Sequence, residues 1–136
     1  MKWNRVEREF EYYKALFGMN NMDVRIVRPK DFKDITGFAL GSAHGKADRK
    51  KRVITVKRNR TFLQIRKTIV HELAHLLFPT KPHWWIECFA YRIIPVKNKY
   101  GEVGRYTERY DHSPRDIPSK KKCIELAKKA AKRLKL

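Results

Sequence analysis

Apolar residues recur at Trp3, Val6, Phe10, Tyr13 and Phe17, at alternating intervals of three and four, while Arg5, Glu7, Arg8, Glu11 and Lys14 take the other faces. That period predicts an amphipathic helix over residues 3–17. Gly18 is a natural stop for it, because glycine readily takes the left-handed conformation that closes many helices. The pattern then shortens. DVRIVRP (23–29) and KRVITVK (51–57) set β-branched residues between charges and predict strands, the first ended by Pro29. GFALGSAHG (37–45) is a further strand candidate, dominated by small residues, and the basic run GKADRKKR (45–52) reads as a hairpin loop leading to the next strand.

Helical spacing returns after Thr61, which forms a capping box with Gln64 and predicts a helix from about Phe62 to just before Pro79. A second helix follows almost at once, with Pro82 in its first turn and no breaker in WWIECFAYRII until Pro95. From Val96 to Pro118 the charge is mixed and no period emerges, which reads as irregular chain. Ser119 or a near neighbour then opens a last helix, with Ile124, Ala127, Ala130, Ala131 and Leu134 toward one side and lysines toward the others. The order of helix, strands, helix, helix, tail and helix predicts an α+β domain with a small twisted sheet covered on one face by helices.

The helix over 62–78 carries the chemistry. Ile65, Ile69, Leu73 and Leu76 form an apolar stripe, and Thr68, His71, Glu72 and His75 interrupt it with a coherent polar face. A chance HExxH on a solvated helix would not sit between TIV and LLF, and polar groups packed in such surroundings need partners. His71 and His75 are one turn apart, with Cβ atoms about 5–6 Å from each other, so both imidazoles can converge on one zinc ion. Glu72 stands beside them, placed to take a proton from a water at the open corner of the ion. Two later residues, Glu87 and His83, compete for the third place. In an antiparallel helix hairpin centred between Thr80 and Lys81, Glu87 falls opposite Ala74, between the two histidines in height, whereas His83 falls opposite Phe78, roughly 6 Å too far toward the loop. Glu87 is therefore the expected third ligand and His83 the alternative. An oxyanion donor is sought among Tyr91, Tyr106, Tyr110 and His112.

Composition changes the picture in one respect. Across 136 residues, 33 Lys and Arg against 14 Asp and Glu give a net charge of +19, beside a hydrophobic fraction of 42% that is ample for a core. Such a surface suits nucleic acid, or the ion-pair networks of a chain from a hot environment. The length and the lack of repeats or flexible linkers predict a single domain over 1–136, with a core over about 1–95 and a tail and basic helix over 96–136. No apolar run approaches the roughly 20 residues of a membrane span, and MKWNRVEREF is too charged for a signal peptide, which predicts a cytoplasmic protein without membrane contact. Cys88 and Cys123 lack the spacing of a zinc or disulfide framework and read as reduced thiols.

HELAH with the downstream glutamate helix E87CFA90 resembles the gluzincin metallopeptidases, in particular the very small archaeal minigluzincins. It is also similar to the catalytic cores of SprT-like and ImmA/IrrE-like proteins, and the likeness covers roughly residues 36–95. It implies one Zn2+ on His71, His75 and Glu87, and a zincin-like fold that hydrolyses peptide or protein substrates through a zinc-bound water activated by Glu72. It further implies that GSAHG belongs to the rim strand on which an extended substrate pairs, and that the C-terminal segment lies near the cleft and keeps the enzyme latent. Cys123 would be within that tail, as a thiolate candidate for the metal. A nucleic-acid-associated protease of SprT type, with the basic surface as its anchor, is the alternative; its third ligand is a histidine placed farther along than His83. A binding module stabilised by structural zinc is the other alternative, and Glu72 speaks against it, since a closed four-ligand site needs no base.

Overall fold

A computed structural model of the chain describes residues 3–27, 31, 45–48, 50–57, 62–94 and 112–136. Helix α1 spans Trp3–Leu16 and buries Val6, Phe10 and Tyr13 along one face, with Phe17 continuing the stripe. It ends as the sequence predicts. Gly18 has φ +72°, its N–H donates to Ala15 at 3.1 Å, and the Met19 N–H reaches back to Lys14 at 2.8 Å, the paired bonds of a Schellman motif.

Three strands follow: β1 (Asp23–Val27), β2 (Gly45–Asp48) and β3 (Val53–Lys57), in the spatial order β1-β3-β2. β1 runs parallel to β3 and β2 antiparallel to it, with Asp23 opposite Val53 and Ala47 opposite Ile54. The sequence reads 45–52 as a loop, and the structure corrects this: GKAD is a strand, and the reversal is confined to the residues between Asp48 and Val53, where the Lys51 N–H donates to the Asp48 side chain at 3.0 Å. GKAD has none of the β-branched residues that mark a strand; its pairing comes from the backbone of β3. Residues 37–44 of the further strand candidate, Thr61 and the Gln64 side chain of the capping box, and the chain from 95 to 111 lie outside the described residues.

Helix α2 (Phe62–Leu77) is the spine of the molecule. Ile65, Ile69, Val70, Leu73, Ala74 and Leu77 are all buried, and α2 packs on β2, β3, α1 and the two later helices. The chain leaves α2 at Phe78, turns with Lys81 N–H donating to Phe78 at 3.2 Å, and enters α3 (His83–Ile93). Pro82 is the residue before the first helical turn rather than within it, and α3 stops at Ile93, ahead of Pro95. After a 3-10 turn at Pro114–Asp116, closed by a Ser113–Asp116 capping box, Ser119 caps α4 (Lys120–Leu134) by accepting from the Lys122 N–H. Ala127, Ala130 and Ala131 are buried as the period predicts; Ile124 and Leu134 lie at the rim, and Cys123, outside the predicted set, is completely buried. The C-terminal Leu136 carbonyl accepts from Asn20 and Asn21, which ties the end of α4 to the α1–β1 turn. The result is an α+β arrangement of four helices and a small mixed sheet among the described residues, none of whose helices is long and apolar enough to cross a membrane.

Candidate metal centre

His71 and His75 lie one turn apart on α2, and their Nε2 atoms approach to 3.0 Å. His83, at the start of α3, brings its ring centroid to 5.0 Å from that of His71 and 5.7 Å from that of His75. The three side chains offer nitrogen atoms that all lie within 4.8 Å of one another, a group that can hold a metal ion. A tetrahedral ion with nitrogen bonds of about 2.0–2.1 Å sets its ligand atoms about 3.3 Å apart, so the His71–His75 spacing fits such a group.

Glu87 meets the cluster at His71. Its Oε1 is paired with Nδ1 of His71, the ring nitrogen turned away from His75, while its Oε2 lies 3.5 Å from Lys67 Nζ. His71 Nδ1 is fully buried and has no well-aligned hydrogen bond, so the carboxylate is its electrostatic partner. Lys67 also donates to the Tyr91 hydroxyl at 2.9 Å and stands 4.1 Å from the centre of that ring. The hairpin reading put His83 too far toward the loop to reach the pair on α2. Equal distance from the turn fixes the heights of backbone atoms; it leaves open which long side chains meet, and here the imidazole of His83 reaches the pair on α2.

Glu72 is 7% exposed. Burial pushes its carboxyl up to about 7; Glu87 adds to the rise, while the His71 ring and a hydrogen bond from the Ala47 backbone N–H oppose it. Its Oε1 lies 3.9 Å from His71 Nε2. β2, which the sequence reads as loop, thus brings a backbone N–H beside this carboxyl. His75 moves the other way. Burial, then the neighbouring rings of His71 and His83, lower it to about 4 against the opposing pull of Glu87, which keeps it in the neutral form that ligates metals.

Of the oxyanion candidates, Tyr91 is engaged by Lys67, and Tyr106 and Tyr110 lie outside the described residues. His112 stacks on Trp84, the residue after His83, with ring centroids 3.8 Å apart, and its Nδ1 lies 3.6 Å from Asp116. Cys123 is no metal ligand candidate here: it is completely buried, its thiol donates to the Pro118 carbonyl at 3.3 Å, and burial raises it to about 11. The sequence reading missed Lys67, although its spacing carries the signal, since 67, 71 and 75 share one stripe of α2. The Ala47 N–H had no signal in the sequence at all. A scan against protein-family models, a search of curated proteins and a search of solved structures each return no match to the chain.

Proposed function

We propose that the protein is a zinc-dependent metallopeptidase with a zincin-like core, in which His71, His75 and His83 hold the ion and Glu72 is the general base. The observation that carries this reading is the buried Glu72 carboxylate beside a three-histidine cluster. Three protein ligands leave a position open, whereas a structural site fills all four. Zinc bound there supplies a Lewis acid that polarises a carbonyl and draws the pKa of water toward about 7. Glu72 takes the proton of the attacking water and passes it to the leaving amine, a task suited to a carboxyl already raised toward neutrality. Glu87, paired with His71 Nδ1 and anchored by Lys67, holds a proton on that nitrogen and leaves Nε2 as the ligand atom. β2 is an edge strand of the described sheet and touches the base through Ala47, a position that suits an extended peptide paired by its main chain.

The test is zinc per chain and cleavage of an unfolded protein, measured on the parent and on His83→Ala, Glu87→Gln and Glu72→Gln. The parent holds one ion, His83→Ala loses it, and Glu87→Gln keeps a site weakened about 10- to 100-fold. Glu72→Gln keeps the ion and loses cleavage by at least about 100-fold. Retention in His83→Ala with complete loss in Glu87→Gln instead gives Glu87 the third place, the gluzincin ligand set. A parent that takes up no zinc overturns the reading.

A further inference from the structure

A cavity of about 290 Å³ opens where α1, α2 and the start of α4 meet. Its wall includes Arg66, five residues and about 140° around α2 from His71, so it faces away from the histidine cluster. We propose that this cavity and the lysine face of α4 form a docking surface for single-stranded nucleic acid, with one base against Tyr12 and phosphates on Arg8, Arg66 and the α4 lysines.

The cavity combines a flat ring with fixed cations. Tyr12 is 60% exposed, the most exposed large hydrophobic side chain among the described residues, and it stands edge-on to Tyr13 with centroids 5.0 Å apart. Tyr13 is itself in the core, so the Tyr12 ring is braced on one side and open on the other. Arg66 is held by Glu9 at 3.2 Å and by the Tyr13 hydroxyl at 2.9 Å, which places its charge at the wall and neutralises the one carboxylate there. Arg8 and Lys120, both exposed, leave two cations in excess around a phenol ring. The volume lies near the lower limit of small-molecule sites, roughly 300 Å³, and suits a single unstacked base.

Lys120 stands in the first turn of α4, about 100° around the helix from Lys121. Beyond it, Lys121, Lys128 and Lys132 fall within about 40° of one another around the helix and are exposed, while Cys123, Ala127, Ala130 and Ala131 form the buried side. Glu125, the acid of this helix, lies on the same face between Lys121 and Lys128 and is paired with Lys122 at 3.8 Å. The stripe runs along a helix about 22 Å long, enough to follow several phosphates of one strand. A chain of net charge +19 releases counterions on meeting such a polyanion. An aromatic platform beside a cationic track is how single strands are bound without sequence preference. This proposal stands apart from the metal site and survives the failure of the peptidase reading.

The experiment is a titration of fluorescein-labelled oligothymidylate with the full chain, followed by anisotropy across a salt series. Lys121→Glu/Lys128→Glu weakens binding at least about tenfold and flattens the salt slope by about 1.4, near 0.7 for each lost phosphate contact. Tyr12→Ala weakens binding at least about fivefold and leaves the slope unchanged, as the loss of one stacked base requires. The charge-matched control, Lys81→Glu/Arg115→Glu, has the smaller effect of the two pairs. Equal loss in both pairs means a diffuse field and overturns the surface. Parental affinity in Tyr12→Ala, tighter binding of duplex, or equal affinity for adenosine monophosphate overturns the single-strand assignment. The substituted residues are exposed, and far-UV circular dichroism checks that each variant is folded.

Discussion

Helices α2 and α4 are of similar length, and each buries one face against the same core, yet they treat polarity in opposite ways. α4 puts only small or apolar groups inside and every lysine outside. α2 buries His71 and Glu72 in the middle of its packed stretch and leaves His75 partly covered. A surface cation costs almost nothing, whereas a buried carboxylate gives up its hydration and persists only where nearby groups hold it. The difference teaches where to look for chemistry: the helix with the larger charge is the one built cheaply, and the helix with the misplaced polar residues is the one bearing the candidate site.

Three experiments sharpen or break that contrast. The largest effect is expected at Glu72 in the metal-free protein. Its carboxyl lies at about 7 in the fold against an ordinary value of 4.5. Below 4.5 both the folded and the unfolded chain hold the proton, and the shift has no effect. Between the two values the unfolded chain releases a proton that the folded chain keeps, so stability falls as pH rises, and above about 7 the loss is complete. It amounts to about 3 kcal/mol. Urea denaturation after chelation should therefore show Glu72→Gln overtaking the parent between pH 5 and pH 8, with excess zinc narrowing the gap. Parallel pH profiles for the two proteins would remove the buried-carboxylate cost on which the contrast rests.

The next effect is on the buried side of α4. Ala127 is completely enclosed, so Ala127→Leu forces a larger side chain into the packed core and should cost about 1–3 kcal/mol, read as a lower midpoint in thermal unfolding. The smallest lies one residue on. Lys128 is exposed, and Lys128→Ala should leave the midpoint within about 0.5 kcal/mol of the parent. A large loss at Lys128 would mean that the outer face of α4 carries structural weight, and the contrast with α2 would fail there.

Much of this was legible from the chain. The spacing of Val6, Phe10, Tyr13 and Phe17 gave α1, and Gly18 gave its closing motif, because both depend on local geometry. Ser119 marked the start of α4 for the same reason. β2 was not legible, since Gly45–Asp48 has no strand preference of its own and takes its form from β3. At the site, His71, Glu72 and His75 declared themselves by spacing on one helix. The positions of Glu87 and His83 relative to them did not, because both project from a second helix whose placement depends on the packing of Phe78, Trp85 and Phe89 in the hairpin.

What the sequence determined by itself are the features set within one or two turns of chain: the described helices, the caps at Gly18 and Ser119, the two-histidine pair and the lysine-rich outer face of α4. The tertiary structure decided which groups meet from distant segments. It brought His83 to the histidine pair, Glu87 to the far nitrogen of His71, and the Ala47 N–H to Glu72. The physical reason is range. Propensity and periodicity act over a few residues, while the partner of a buried charge is whatever the packed core places beside it.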